Sequence, residues 1–425
     1  MSDVEELFTF IKQCPSPYHT VKTVSPLLEA HDFTPLSMEE EWHLEPGAYY
    51  VPVYGTTIFA FLIGQDIRHS MRIVSAHTDF PALRVKPNPL VREKKYGKIN
   101  IETYGGLLLE PWLDRPLSMA GLVVTKGADA FTPKTHLVNI RRPICTIPHL
   151  AIHMNRKANE GVALNRQIDM LPLGMMWPEE ETDDSWLAWL ADEINVKKED
   201  ILSYELTLYP VEDGMVFGLY DEFVSSPRLD NLTSCYAALQ GLLTAAEKDT
   251  KGLRIMALFD NEEVGSRTKQ GGASQLLPNI LERLYMATGH SKEECLADTA
   301  AGFMVSADVA HAYHPNHGEK NDLTNIPVLN GGVALKEAAS QSYAGDAQAI
   351  ATIKQLCKDN KIPYQIYVNR SDIPGGSTIG SITSALLTMR TMDVGIPILA
   401  MHSVRETMGI EDQDSLTALL TAVLL

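Results

Sequence analysis

The second half of the chain alternates apolar, strand-like runs with amphipathic helical segments, and this alternation most restricts the fold. From about residue 225, the helical segment NLTSCYAALQGLLTAAEKD precedes the apolar run LRIMALF, and the same order continues as far as the run IPILAMHS. Apolar strands separated by helices are typical of parallel sheets that carry helices on both faces. We therefore predict an α/β fold with a doubly wound, largely parallel sheet.

The stretch between about 86 and 224 has a different pattern, in which Pro, Gly and other turn residues are frequent. It contains strand-like pieces such as GLVVTKG and LVNIRRPICTI, and the segment 185–194 is predicted to be a helix. Short strands separated by turns are typical of a mostly β structure. We predict a mostly β domain at 86–224, inserted into a discontinuous α/β domain formed by 1–85 and 225–425.

Polar side chains follow the apolar runs at the points where the predicted strands end. The run RIVSA leads to a histidine, LRIMALF to two adjacent glutamates, FMVSA to an aspartate and IPILAM to a second histidine, and a further aspartate precedes a helix. These residues are His77, Glu262, Glu263, Asp308, His402 and Asp230. Because open α/β sheets bind ligands outside the carboxyl ends of their strands, we predict that these side chains meet at one edge. The alternative is a set of unrelated polar strand ends at the surface.

Imidazole and carboxylate groups without a thiolate match the nitrogen and oxygen ligands of zinc, and cobalt or manganese accept the same set. Asp230, Glu262, Glu263 and Asp308 carry four negative charges when ionised, which two divalent ions would balance. One ion would leave excess negative charge in a poorly solvated cleft. Two ions about 3.5–4 Å apart activate a bridging water while a carboxylate takes its proton. We predict a hydrolytic centre with two divalent ions.

Six segments of the chain together resemble a known family. They are SAHTDFPALRVKP (75–87), SSPRLDNL (225–232), DNEEVGS (260–266), SADVAHAYHPN (306–316), GGSTIG (375–380) and MHSVRETMG (401–409). In this order they resemble the bacterial type of the aspartyl aminopeptidase family of dinuclear zinc metallopeptidases. The resemblance implies a metallopeptidase domain interrupted by a dimerisation domain. It also implies removal of the N-terminal residue from short peptides with a free N-terminus, through a metal-bridging hydroxide.

The resemblance implies a role for each residue at the strand ends. Asp230 would bridge both ions, and Glu262 would be the general base that activates the bridging water. The remaining implied ligands are His77 and Asp308 for one ion, and Glu263 and His402 for the other. Asp79 would support His77 from behind, because a carboxylate on the far ring nitrogen fixes the tautomer and orientation of a metal-binding histidine.

Other residues enter the site by resemblance alone. His153 would reach from one subunit into the active site of its neighbour and stabilise the tetrahedral intermediate. Lys336 would face the side-chain carboxylate of the first substrate residue, with Tyr343 as a further pocket residue. Gly375 and Gly376 would bring backbone amides close to the substrate, since glycine permits close approach. The alternatives are a structural histidine, a surface lysine and an ordinary loop.

Two departures from the family pattern leave the substrate open. Phe80 stands where relatives often have a small residue, and Glu337 adds a negative charge beside Lys336. Either one can shift the first-residue preference from Asp or Glu to a neutral or broader set. A second enzyme hypothesis is a related dinuclear amidohydrolase of acylated amino acids. A non-enzymatic hypothesis is an assembly or cargo-binding scaffold that retains the metal shell.

Composition bears on partners and location. The net charge of −18 argues against nucleic acid and anionic membranes as partners. We find no signal peptide pattern and no apolar stretch of about 18 residues, so no membrane span is predicted. Five widely spaced cysteines without a CxxC motif favour a reducing, cytoplasmic location. The resemblance adds a homo-oligomer in which dimers assemble into a tetrahedral dodecamer.

Overall fold

The computed structural model describes residues 3–177, 185–248 and 251–425. The chain forms two compact units. The first comprises Met1–Asp79, Gly214–Met401 and Glu406–Leu425, and the second comprises Phe80–Asp213 and His402–Arg405. The second unit corresponds to most of the predicted insertion at 86–224. The last residues of that predicted range, 214–224, belong to the first unit instead.

Strands dominate the middle of the chain, and strands and helices alternate in its last two hundred residues. The α-helices are α1 (Asp3–Gln13), α2 (Pro17–Glu29), α3 (Ser185–Ile194), α4 (Leu229–Ala246), α5 (Leu276–Ala287), α6 (Lys292–Ala301), α7 (Ala347–Asn360), α8 (Ile379–Leu387) and α9 (Asp412–Leu424). The strands are β1 (Thr34–Pro35), β2 (Gly47–Val53), β3 (Thr57–Ile63), β4 (Met71–His77), β5 (Ala82–Glu93), β6 (Tyr96–Tyr104), β7 (Leu117–Thr125), β8 (Lys134–Asn139), β9 (Leu173–Met176), β10 (Ile201–Pro210), β11 (Met215–Phe217), β12 (Phe223–Ser226), β13 (Leu253–Phe259), β14 (Phe303–Ala307), β15 (Ala310–His311), β16 (Val333–Glu337), β17 (Tyr364–Val368), β18 (Arg390–Gly395), β19 (Pro397–Leu399) and β20 (Glu406–Gly409).

The first unit is built on a nine-stranded sheet with the order β1-β2-β3-β13-β4-β14-β18-β16-β17. Its centre, β13-β4-β14-β18, is parallel, while β3 and β16 pair antiparallel with this centre. Every residue of β3 and of β13 is buried, as expected for strands covered on both faces. The prediction of an α/β fold with a largely parallel sheet is confirmed.

Helix α4 leads out of the predicted metal site and packs on β4, β13 and α9. Its residues from Leu229 to Leu239 are all buried, so the helix is covered by protein on every side there and exposes no polar face to solvent. Gly241 permits this packing, because a Cβ at that position would lie 3.1 Å from the backbone nitrogen of Thr421 in α9. Because α4 is buried along this stretch, its first residues, including Asp230, are held in a fixed position.

The strand that precedes His402 corrects one part of the sequence-based prediction. Residues Pro397–Leu399 form β19, which belongs to a separate five-stranded sheet with the order β11-β12-β20-β19-β15. The strand beside β14 in the main sheet is β18, whose first residues the sequence pattern assigned to a helix. The buried acid Asp393 interrupts the apolar run of β18 and hides it. The prediction that four strands of one sheet deliver the site residues was therefore wrong for His402.

The second unit contains a six-stranded antiparallel sheet with the order β8-β7-β10-β5-β6-β9. Helix α3 occupies the predicted segment 185–194, and its buried face packs into the apolar core of this unit through Trp186 and Leu190. The mostly β character predicted for the inserted region is confirmed. A dimerisation role for it stays a prediction.

Two further expectations concern the whole chain. The five cysteines are buried thiols that form no disulfide. Among the residues that the structure describes, no helix has both the length and the apolar character needed to cross a bilayer.

Candidate metal centre and substrate pocket

His77 lies at the carboxyl end of β4 and faces two aspartates. Its Nε2 atom is 3.4 Å from Asp230 Oδ1 and 3.6 Å from Asp308 Oδ1. Asp308 follows directly after β14, the strand next to β4, and Asp230 stands in the non-helical start of α4. The His77 side chain is nearly inaccessible, with 1% of the residue surface exposed. One ligand atom from each residue lies within 4.8 Å of the others, which is close enough for all three to bind one ion.

The other ring nitrogen of His77 is held by Asp79. Nδ1 lies 3.0 Å from the backbone carbonyl oxygen of Asp79 and 3.4 Å from its carboxylate Oδ1. Because a carbonyl only accepts hydrogen bonds, Nδ1 carries the proton, and in the neutral ring the Nε2 lone pair points at the two aspartates. The predicted carboxylate contact is thus accompanied by a shorter bond to the main chain of the same residue.

Asp79 also fixes the turn that carries the two glutamates. Glu262 and Glu263 begin a short 3-10 turn after β13, the strand on the other side of β4. The two carboxylate oxygens of Asp79 each accept a hydrogen bond, one from the backbone N–H of Glu262 and one from that of Glu263, both at 3.1 Å. Ligand atoms of His77, Glu262 and Glu263 lie within 4.8 Å of one another. One buried aspartate therefore orients the histidine and both glutamates.

The charges of this cluster would favour the binding of cations. Burial raises the pKa of Glu262 to about 8; His77 opposes this rise, while Asp308 and Asp230 add to it. Burial and the charge of Asp230 likewise raise the pKa of Glu263 well above its usual range. For His77, burial opposes the charged ring but the neighbouring carboxylates outweigh it, and the pKa is raised. A buried set of imidazole nitrogen and carboxylate oxygen with excess negative charge fits divalent ions.

The two remaining histidines named by resemblance belong to the second unit. His402 lies in its short segment His402–Arg405, and the Nδ1 atom is 2.9 Å from the carbonyl oxygen of Gly106 in the same unit. A carbonyl bond at Nδ1 leaves Nε2 as the ligand atom, the same arrangement as in His77. His153 is exposed in the long connection between β8 and β9. The roles of both histidines stay predictions.

Lys336 is buried beside the cluster rather than exposed at the surface. It lies in β16 with 2% of its surface exposed, and its Nζ atom is 3.7 Å from Asp308 Oδ2. The same atom is 5.2 Å from the ring centre of Tyr343, which is itself buried. Burial favours the neutral amine, but Asp308 and Asp393 outweigh it and raise the pKa of Lys336. The lysine is therefore a buried cation next to a predicted metal ligand.

The two predicted substrate-binding glycines differ in their surroundings. Both lie in an exposed loop before α8. A Cβ at Gly375 would lie 2.1 Å from the Asn369 side-chain amide, so a side chain there would require Asn369 to move, whereas nothing lies within 4 Å of a Cβ at Gly376. Phe80 is buried and Glu337 is half-buried. At Gly375 the loop backbone closely approaches the Asn369 side chain, whereas Gly376 faces open space.

Two buried acids near the site were not predicted from the sequence. Glu406 Oε2 accepts a hydrogen bond of 2.9 Å from the backbone N–H of Asp230. Asp393 lies in β18 and binds the segments that follow Tyr343 and Gly376. The one available signal was an acidic residue inside an otherwise apolar run, as in TMDVG.

The fold and the buried cluster indicate an α/β enzyme whose site residues could hold metal ions, and comparison with known proteins supplies the family. The family model described as Aminopeptidase I zinc metalloprotease (M18) matches residues 10–423. The chain belongs to this M18 family of zinc aminopeptidases. The predicted family and the predicted aminopeptidase function are therefore confirmed.

Individual relatives agree with this assignment over nearly the full chain. The Probable M18 family aminopeptidase 2 of Clostridium novyi (strain NT) is 45% identical over 412 residues, which cover 96% of this chain and 95% of the relative. Aspartyl aminopeptidase 4 of Saccharomyces cerevisiae (strain ATCC 204508 / S288c) is 37% identical over 448 aligned positions, covering 96% and 91%. The solved structure described as "Structure of S. cerevesiae mApe1 dodecamer" is 27% identical with a TM-score of 0.86, covering 99% and 96%.

Proposed function

We propose that this M18 aminopeptidase uses two divalent ions to remove the N-terminal residue from short peptides, and that zinc is the preferred metal. The observation that carries the proposal is the buried cluster in which ligand atoms of His77 lie within 4.8 Å of those of two aspartates and of two glutamates. A surface polar cluster would be solvated and would not concentrate four carboxylates around a buried imidazole. Cobalt and manganese are the alternative metals, because the ligand set accepts them as well.

The division of ligands follows the resemblance. Asp230 is proposed to bind both ions, with His77 and Asp308 completing one set and Glu263 and His402 the other. Two divalent ions carry four positive charges, which balance the four carboxylates and oppose both the burial and the neighbouring carboxylates that raise the pKa values of the glutamates. When bound, such ions lower the pKa of water and polarise the scissile carbonyl.

Glu262 is proposed as the general base. It takes a proton from the attacking water and passes it to the leaving amine, and its position is set by the hydrogen bond between its backbone and Asp79. His153 is proposed to stabilise the tetrahedral intermediate from a neighbouring subunit. The free amine of the substrate is proposed to lie among the carboxylates of the site.

The first substrate residue is proposed to be Asp or Glu. Lys336 supplies a buried positive charge beside Asp308, and the yeast relative is named an aspartyl aminopeptidase. A neutral or broader preference is the alternative, because Asp308 and Asp393 both lie close enough to offset part of the lysine charge. The pocket is proposed to be formed by Lys336, Tyr343 and the loop with Gly375 and Gly376.

A homo-oligomer is also proposed, with dimers formed through the inserted domain and a tetrahedral dodecamer as the full assembly. The yeast structure that this chain resembles is described as a dodecamer. The connection that carries His153 also exposes large apolar side chains, with Met154 at 74% and Ile168 at 73% exposed. Apolar side chains exposed in one segment favour a protein interface. Cytoplasmic location remains a prediction from the cysteines and composition.

The experiment that tests this function uses chelator-stripped protein with zinc, cobalt or manganese added back. Aminoacyl chromogenic substrates with Asp, Glu, Leu, Ala and Lys are compared with an acetylated control. We expect metal-restored cleavage of free amino-terminal substrates, fastest for Asp and Glu. Preference for the acetylated substrate would favour the amidohydrolase hypothesis, and metal binding without any cleavage would favour the scaffold. Fast cleavage of Leu or Ala would keep the reaction and discard the acidic pocket.

A further inference from the structure

A buried carboxylate joins the two segments that form the proposed pocket. Asp393 is fully buried in β18, with 0% of its surface exposed. Its Oδ2 atom accepts hydrogen bonds from the Thr378 hydroxyl, at 2.7 Å, and from the backbone N–H of Ala344. Its own N–H donates to the carbonyl oxygen of Ala344 at 2.9 Å. Ala344 follows Tyr343, and Thr378 closes the glycine loop, so one residue holds both walls of the pocket.

Further contacts tie the same two segments. The backbone N–H of Thr378 donates to the carbonyl oxygen of Ser342 at 3.3 Å. Asn369 accepts a hydrogen bond from the Tyr367 hydroxyl at 2.5 Å, and its amide lies 3.5 Å from the Tyr343 hydroxyl. The backbone of Gly375 packs against this same amide. Asp393 thus belongs to a polar network that surrounds the pocket without entering it.

Two features of the start of α8 accommodate this carboxylate. Thr378 occupies the residue before α8, where a threonine hydroxyl usually accepts a hydrogen bond from the helix backbone. At this helix start the Thr378 side chain forms no such bond, and its hydroxyl donates to Asp393 instead. At Gly380, in the first turn of α8, a Cβ would lie 2.5 Å from Asp393 Oδ1. A buried carboxylate is costly in an apolar strand, and these adjustments indicate a function beyond packing.

We propose that Asp393 is a positioning residue for the first-residue pocket: it locks Thr378 and Ala344 together and so fixes the glycine loop against Lys336 and Tyr343. The inference rests on the proposed function, since it assumes that this pocket holds the first residue of the peptide. Asp393 does not contact substrate in this scheme. It acts by holding the loops at Ala344 and Thr378 in place. Its negative charge also lies near the positive charge of Lys336.

The test compares Thr378→Val with Thr378→Ser in the metal-loaded enzyme. Valine has nearly the shape of threonine but cannot donate to Asp393, whereas serine keeps the donor. We expect Thr378→Val to raise KM for the preferred aminoacyl substrate about tenfold, with kcat within about twofold of the wild type, because a hydrogen bond to a charged group is lost. Thr378→Ser should restore the wild-type KM. Asp393→Asn, which keeps the shape and removes the charge, should raise KM as Thr378→Val does.

Hydrogen exchange of the backbone amides supplies a readout that does not depend on activity. We expect Thr378→Val to speed exchange in both 342–345 and 375–378 while the rest of the first unit stays protected. An unchanged KM together with unchanged exchange would overturn the proposal. Equal losses of kcat, metal content and thermal stability would also overturn it, since they indicate a merely structural role. If the wild type cleaves no aminoacyl substrate, the proposed function fails. The hydrogen exchange of segments 342–345 and 375–378 then tests by itself whether Asp393 holds them together.

Discussion

At the scale of single residues, the two adjacent glutamates after β13 are predicted to have separable roles. We expect Glu262→Gln to lower kcat by about three to five orders of magnitude with metal retained, because an amide cannot accept the proton of the attacking water. Metal content by mass spectrometry and kcat on the preferred substrate check this. The exposed Glu41→Gln serves as control. Turnover of Glu262→Gln within about tenfold of the wild type would remove Glu262 as the base.

Asp79 allows a second residue-scale prediction, because its carboxylate receives two backbone N–H groups and also faces His77. In Asp79→Asn one of those N–H groups would meet an amide donor instead of an acceptor. We expect zinc affinity and kcat to fall about 10–100-fold, as for other residues that orient metal ligands. Titration with zinc and steady-state kinetics measure both. Asp359→Asn, exposed on α7, is the matched control, and wild-type zinc affinity in Asp79→Asn would contradict the orienting role.

The residues that the sequence could predict are those for which chain position implies spatial position. His77 and Asp308 lie at the ends of neighbouring parallel strands, so an end-of-strand rule brings them together. Asp393 and Glu406 follow no such rule, because their partners are backbone groups and hydroxyls supplied by loops far along the chain. Such buried polar contacts depend on tertiary packing, which periodicity does not contain.

At the scale of secondary structure elements, the start of α9 links stability to pH. Asp412 accepts hydrogen bonds from the backbone N–H groups of Asn330, at 2.8 Å, and Gly332, at 2.9 Å. Burial nevertheless raises the pKa of Asp412 to about 7, against a lowering effect of these bonds. The folded state therefore binds a proton between about pH 4 and 7 that the unfolded state has released, so this group stabilises less as pH rises.

This gives an expected stability difference between two variants in the same helical turn. The free energy of unfolding of the wild type should fall by about 2 kcal/mol between pH 5 and pH 7 relative to Asp412→Asn, whose amide does not titrate. Urea denaturation of the metal-free proteins at both pH values measures it. Asp414→Asn, exposed in the first turn of α9, should follow the wild type. A constant difference between wild type and Asp412→Asn would show that Asp412 ionises normally.

The elements themselves were predictable where apolar runs were continuous. Strand β13 and helix α3 stand where their patterns indicated. Strand β18 was missed because Asp393 breaks its apolar pattern, and β19 then took its place in the predicted sheet. The acid that hid the strand is the one that accepts hydrogen bonds from Ala344 and Thr378, so a buried polar contact between distant segments caused the error.

At the scale of the whole molecule, the prediction to test is that His153 acts in a neighbouring subunit. His153 lies in an exposed connection of the second unit beside exposed apolar residues, as a residue at a subunit interface would. We expect chains of 47.0 kDa to assemble into a homo-oligomer, with a dodecamer as the proposed size. Sedimentation velocity gives the number of subunits, and His153→Ala alone should lower kcat without loss of metal.

Mixing two variants of low activity then separates action between subunits from action within one. In oligomers that contain both Glu262→Gln and His153→Ala chains, the His153→Ala chain keeps its own base and can receive His153 from its Glu262→Gln neighbour. We therefore expect coexpression to restore activity that neither variant has alone. If His153 acts within its own chain, every site in the mixture lacks either the base or the histidine, and no activity returns. Coexpression of two differently tagged His153→Ala chains controls for expression. Activity restored only in the mixed oligomer would show that each active site contains residues of two chains.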